Sequence, residues 1–347
     1  MKSKCNLLFV LFMLVSFATY AGNVEKTKEF HQTWDVNNVK NLKVINKYGD
    51  IKINDNGGNE VTIDVVATVE TSTEKKADDL LDQIDVNFSK NSDTVIAETV
   101  IDNTLTGKKE FSIDYTINIP SDKNLDIDNK FGNVVINELN AKGKFNVEYG
   151  SLTAHKLNGA GPDDINIDLS YSKGSIETLS DATLEIKYTT YNITEAGNIQ
   201  VDSKYSIISV DRSKGINTDS KYDTYNIGNT GSVTADAKYS HIQVDELQKS
   251  LKVDSEYGSL KVSKVDPDFE SINVENSYGA VNLGISDESS YNVNASCSYC
   301  NIDYDQNSFK GNRMSENNSK KIDGTIGNGT PTGKVVVTSK YGGIKLR

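Results

Sequence analysis

Little in this sequence is equipped for chemistry. Its 347 residues include three histidines, His31, His155 and His241, and three arginines, Arg212, Arg313 and Arg347. That leaves few general bases near neutral pH and few strong cations to hold an anionic transition state. Of the three cysteines, Cys5 lies in the leader discussed below, and Cys297 and Cys300 alone cannot make a disulfide framework. No nucleophile elbow, zinc motif, phosphate loop or calcium-binding Gly-Gly-x-Gly-x-Asp repeat is present. One long apolar run exists, at 7–17, and no other approaches the roughly 18 residues that cross a bilayer. These absences predict a non-catalytic chain with no cofactor, no metal and no transmembrane segment after the leader.

The first residues, MKSKCNLLFVLFMLVSFATYAG, combine early lysines, the apolar run and small residues up to Ala21. They read as a Sec-type signal peptide spanning 1–21, which predicts a periplasmic, cell-surface or secreted protein. Cys5 precedes the apolar run and is not placed for lipid attachment. Removing Lys2 and Lys4 takes the formal charge from -12 to -14. An acidic balance of that size argues against nucleic acid or anionic membrane as a partner.

What the sequence has is a repeat. DSEYGSLKV begins at 254, and NKYGDIKIN at 46, NKFGNVVIN at 129, NSYGAVNLG at 276 and TSKYGGIKL at 338 say nearly the same thing. The aromatic anchors are Tyr48, Phe131, Tyr149, Tyr171, Tyr188, Tyr205, Tyr222, Tyr239, Tyr257, Tyr278, Tyr299 and Tyr341. From Tyr171 to Tyr239 they recur every 17 residues, then at 18, 21, 21 and 42. The last gap is twice 21 and predicts a degenerate coil without its tyrosine near 305–330.

Around each anchor the apolar residues alternate. Before Tyr257 come Leu251, Val253 and Ser255 at steps of two; after it come Leu260 and Val262, three and five residues on. Period two marks a strand, and the step of three marks one extra residue at a corner. Gly49, Gly132, Gly150, Gly258, Gly279 and Gly342 at that corner suggest a backbone needing positive φ, with Ser206, Asp223 and Ser240 elsewhere. Each coil therefore reads as a long strand, a corner, a short strand and a polar turn of about five residues. A unit this small cannot bury its apolar face alone, but stacked copies can. The fold class is all-β: a parallel β-solenoid, or β-helix, with 17–21 residues per coil. On this reading Tyr149, Tyr171, Tyr188, Tyr205, Tyr222, Tyr239, Tyr257, Tyr278, Tyr299 and Tyr341 stack as a buried structural ladder at one inner edge, with Tyr191 and Tyr225 also in the core.

Residues 22–120 lack the short period and read as a β-rich N-terminal cap, continuous with a solenoid over 121–347. The cap carries one helix at 73–84, with Leu80, Leu81 and Ile84 on one face. Outward positions form columns too. One residue before the anchor sit Lys130, Lys187, Lys204, Lys221, Lys238 and Lys340. Three before it sit Asp128, Asp168, Glu185, Asp202, Asp219, Asp236 and Asp254. Four after it, Thr153, Asn192, Ser209, Asn226, Gln243 and Asn282 form a hydrogen-bonding strip, the candidate ligand-binding surface. Cys297 takes an inward slot and Cys300 the corner, close enough for a disulfide. Carboxylates in turns, such as Asp163, Asp164 and Asp168 or Asp266 and Glu270, are the candidates if the chain were instead a carbohydrate-active lyase or hydrolase.

The signal peptide, the early KYGDIKI, the helix-bearing segment, INIPSDKNLDIDNKFGNVVI and the closing SKYGGIKLR together resemble the bacterial putative-adhesin family. These are exported β-solenoids of unknown function, similar to head-GIN-type auto-transporter adhesin domains. The resemblance covers about 35–347. It implies adhesion and carries no catalytic residues to transfer; the uninterrupted repeat and the missing catalytic groups predict a long flat surface for a glycan, an envelope or host protein, or another envelope component.

Overall fold

The computed structural model describes residues 24–102 and 111–347; the leader at 1–21 lies outside them. Strand accounts for 70% of the described residues and helix for 3%, and about nine turns make a β-solenoid. The turns wind in sequence from the strand Asn124–Lys130 to the strand Val281–Ile285. Equivalent residues pair in parallel, one layer above the next. Ile199 faces Ile216, then Val233, Leu251 and Ile272. These inward aliphatics are almost fully buried, because each layer removes the flank of the one beneath it from water.

The middle coils have no separate polar turn. Thr190–Lys204, Ile207–Lys221, Thr224–Lys238 and His241–Glu256 are each one strand running from corner to corner. Every coil in this stretch keeps ladder pairing along nearly its whole length, so a spacing of 17 needs no loop.

The corner also differs from the sequence expectation. The aromatic itself, not the residue after it, adopts the left-handed backbone. All twelve anchors have φ between 52 and 66°. Such a conformation costs a non-glycine residue on the order of 1 kcal/mol and persists only where surroundings over-determine it. Here the layers do so: the Tyr171 N–H donates to the Lys187 carbonyl at 3.0 Å, and the Tyr205 N–H to that of Lys221 at 3.1 Å. The following glycine is required for closeness instead. A Cβ on Gly132 would strike the Gly49 carbonyl, and one on Gly279 or Gly342 the carbonyl of the glycine one layer below.

Both ends depart from sequential winding. The strands Asn41–Lys47 and Ile51–Asn54 form a coil against Asn124–Lys130 and Asn133–Leu139. On its other side lie Thr94–Ile101 and Phe111–Asn118. Antiparallel strands Glu60–Thr71 and Val24–Asp35 extend one sheet, and Ile84–Asn91 the other. The helix spans Glu74–Leu81, capped by Thr73, with Ala77 and Leu81 buried; Ile84 belongs to the next strand.

At the far end no degenerate coil occupies 305–330. Lys310–Glu316 and Ser319–Ile326 form an antiparallel hairpin along Tyr291–Ser298. The chain then returns, and Gly333–Lys340 inserts between Ser271–Ser277 and Tyr291–Ser298. The 42-residue gap measures this excursion, not a coil that lost its ring.

Candidate binding surface

A strand that kept alternating would point each anchor inward, beside the residues two and four before it. The left-handed turn at the anchor swings the ring to the outer edge instead. The tyrosine ladder is therefore exposed, with Tyr149 to Tyr341 between 44 and 57% accessible. The expectation of a buried inner ladder is corrected on this point. Stacking itself is complete: Tyr48, Phe131, Tyr149, Tyr171, Tyr188, Tyr205, Tyr222, Tyr239, Tyr257, Tyr278, Tyr341 and Tyr299 follow in that order. Successive centroids are 4.7–5.1 Å apart, at interplanar angles of 1–17°.

Twelve rings at about 4.8 Å per layer make an aromatic edge on the order of 50 Å long. Between the two terminal rings, Tyr48 and Tyr299, both faces of each ring are covered by its neighbours, so the surface offers ring edges and phenol hydroxyls. No hydrogen bond among the described residues uses a ladder hydroxyl. Crowding of the row raises the Tyr257 pKa, first through partial desolvation and then through the adjacent Tyr278 and Tyr239 phenols. The preceding lysines border the rings: Lys47 Nζ sits 5.0 Å from the Tyr48 centroid and Lys340 Nζ 5.4 Å from that of Tyr341. Tyr191 and Tyr225 lie in the core. The Tyr225 hydroxyl bonds Ser203 and Thr218 at 2.7 Å, whereas that of Tyr191 has no partner.

Behind the ladder runs a second, buried row. The Ser172 N–H donates to Thr189 Oγ1, the Thr189 N–H to Ser206 Oγ, the Ser206 N–H to Asp223 Oδ1 and the Asp223 N–H to Ser240 Oγ. The Asp223 carboxylate accepts four hydrogen bonds, the others coming from Ser203, Ser220 and the Lys221 N–H. Burial nevertheless pushes its pKa up.

The candidate strip occupies one column. Thr153 pairs through Ser175 to Asn192, then Ser209, Asn226 and Gln243, and Lys261 precedes Asn282. Ser175 and Lys261 hold the same slot, four residues after Tyr171 and Tyr257, and complete the column. A shallow hollow beside Thr153 holds His155, whose Nδ1 is 2.6 Å from Glu177.

On the other sheet Asp168, Glu185, Asp202, Asp219, Asp236, Asp254 and Glu275 form an unbroken acidic row. Lys187 pairs with Glu185, and Lys221 with Asp219 at 3.4 Å. Desolvation first, then like charge from Glu148 and Glu185 respectively, raises the Asp128 and Asp168 pKa values.

Of the suspected enzymatic carboxylates, Asp163 and Asp164 line one hollow with Asp126 and Lys142. Asp164 is tied to Lys142 at 3.0 Å and to the Gly161 N–H, which lowers its pKa, while Asp168 stands in the acidic row. Asp266 accepts from the Asp268 N–H within its own turn. Among the described residues no three His, Cys, Asp or Glu side chains converge as metal ligands do. Cys297 and Cys300 are disulfide-bonded across the corner, their Cα atoms 5.6 Å apart. No helix among the described residues is long and apolar enough to cross a membrane.

No family model and no curated protein matches the sequence. Among solved structures, the chain is similar to a putative adhesin from Bacteroides fragilis NCTC 9343, at 12% identity and a TM-score of 0.29, covering 92% of this chain and 97% of that one. A putative adhesin from Parabacteroides merdae ATCC 43184 gives 10% identity, a TM-score of 0.34 and coverage of 73% and 95%. A putative lipid binding protein from Parabacteroides distasonis ATCC 8503 gives 11%, 0.34, and coverage of 73% and 96%. At these scores the likenesses carry no argument, and the function must be read from the surface itself.

Proposed function

We propose that the protein is a non-catalytic, exported, adhesin-like binding module. Its partner, a glycan or an envelope or host protein, lies along the tyrosine edge. The observation that carries this reading is the unbroken row of half-exposed rings. Large aromatics left accessible in one contiguous stripe are uncommon on a surface with no partner. Because the faces are occupied by stacking, a sugar cannot sit flat on a ring. An extended polymer running parallel to the solenoid axis would instead meet one hydroxyl and one ring edge per layer. A partner of this kind gains from multiplicity more than from any one contact. Export rests on the leader at 1–21.

The test compares the wild-type protein with the variant carrying Tyr188→Ser, Tyr205→Ser, Tyr222→Ser and Tyr239→Ser, both shown folded by circular dichroism. Extended β-linked polysaccharides and solubilised envelope fractions serve as probes. The wild type should retain a probe, and the variant should lose at least about tenfold in affinity, or about 1.4 kcal/mol. Equal retention by both proteins, or by neither, rejects the aromatic edge as the contact.

A further inference from the structure

The coil at 333–347 fills a layer that the winding skipped. Residues 271–285 and 291–304 are consecutive coils in sequence, joined directly by 286–290, yet they are not neighbours in space. Between them lies a slot one layer thick. Into it the returning segment places Val335, Val337, Ile344 and Leu346, all buried.

Both walls of this slot are strand edges, and the inserted coil satisfies both. The Tyr278 N–H donates to the Lys340 carbonyl at 2.8 Å and the Val281 N–H to that of Gly343 at 3.0 Å. From the opposite side the Tyr341 and Ile344 N–H groups donate to Ser298 and Asn301. The Tyr341 ring is held between Tyr278 and Tyr299 at 4.9 and 4.8 Å. Ser339 Oγ accepts from Asn276 Nδ2 and donates to the Gly342 carbonyl.

The slot is selective. A Cβ at 342 would meet the Gly279 carbonyl, and one at 333 the Phe269 ring. It therefore requires Gly, two spaced aliphatics, Ser, Tyr-Gly and two further spaced aliphatics. The coil at 41–54 carries a similar pattern and is likewise set between two layers, but the chain holds it from both sides through the strands Val24–Asp35 and Glu60–Thr71. The coil at 333–347 is joined to the preceding hairpin through 327–332.

We propose that this slot is a binding site for an extended segment of the protein's own sequence, and that 333–347 is exchangeable. A second copy of the chain fills the slot reciprocally, giving an end-to-end dimer. Withdrawing the coil breaks no winding, but it exposes four strand edges at once, and such edges are strong templates for a matching strand. Exchange of identical elements reproduces every contact in the new molecule, so its net demand falls on the hinge. The connection starts at Ile326, on the strand that lies between Tyr291–Ser298 and the outermost strand Lys310–Glu316. From there five layer spacings, about 24 Å, reach the opposing slot, and the seven Cα steps from Ile326 to Gly333 span up to about 25 Å when fully extended.

Two differently tagged preparations of the full chain, mixed at the foot of the urea transition and returned to buffer, test this by native mass spectrometry. The expected product is a dimer carrying both tags, whose fraction rises with protein concentration. A synthetic peptide of residues 333–347 should suppress it and be retained at one per chain. The same peptide with Gly342→Ala should be retained about tenfold less; this arm leaves the protein unaltered, so misfolding cannot mimic it. Monomers at every concentration with no retained peptide overturn the proposal. So does a mixed dimer indifferent to the peptide, or equal retention of both peptides.

Discussion

The middle coils and the end coils meet the same tight corner with opposite residues. At the ends Gly49, Gly132, Gly150, Gly258, Gly279 and Gly342 leave no side chain where the next layer's carbonyl arrives. From Ser172 to Ser240 a side-chain oxygen enters the same place and takes the N–H of the adjacent layer. The lesson is that the corners inside the stack hold either a filled hydrogen bond or an empty volume, and only the last layer's corner, Cys300, uses a disulfide instead. A methyl group offers neither.

Breaking that rule should have the largest effect. Gly279→Val puts branched carbon against a backbone carbonyl and should destabilise by about 3 kcal/mol in a urea melt; a loss below about 1 kcal/mol would show that the layers can part. In the middle region Asp223→Ala strips the acceptor from four donors and should cost about 2 kcal/mol. Asp223→Ser, the residue used one layer to either side, should recover much of that loss. If serine and alanine behave alike, the buried row is not what holds these corners.

The two core tyrosines sharpen the contrast between satisfied and unsatisfied groups. Tyr225→Phe removes a hydroxyl bonded to Ser203 and Thr218 and should cost about 1 kcal/mol. Tyr191→Phe removes a buried hydroxyl with no partner and should be neutral or raise the melting temperature. Parallel losses in both variants would mean that the Tyr191 hydroxyl is bonded after all. On the outside, Tyr222→Ala gives up two ring stackings at a half-exposed site and should lower stability by about 1 kcal/mol. A loss as large as that of Gly279→Val would mean that the ladder, not the corner, carries the stack.

The smallest expected effect is electrostatic. Desolvation and neighbouring acids raise the Asp128 and Asp168 pKa values, so the folded state holds those protons more tightly than the unfolded chain. Their contribution to stability is complete below the ordinary carboxylate range and is lost as pH rises through the raised values. Asp168→Asn should therefore melt slightly higher than wild type at neutral pH, and the gap should close toward about pH 4. A gap that widens on acidification reverses the assignment.

Period-two alternation around Tyr257, the 17-residue spacing and the step of three were enough to specify strands, corners and parallel stacking. Local repetition and global architecture share one cause there, since each coil buries only against its own copy. Two features escaped because they depend on atoms from other layers. The side on which a ring emerges follows from its φ, and only pairing with the adjacent layer stabilises a left-handed tyrosine. The insertion of 333–347 is invisible because every coil carries nearly the same pattern, and a pattern common to all layers cannot say in which order they are piled.

Sequence alone thus determined the repeating unit and its apolar interior, because hydrophobic periodicity is a property of the chain. Tertiary structure alone decided the outward aromatic edge and the out-of-order last layer. Both arise from contacts between residues far apart along the backbone, where near-identical coils compete for the same neighbours and geometry, not composition, picks the winner.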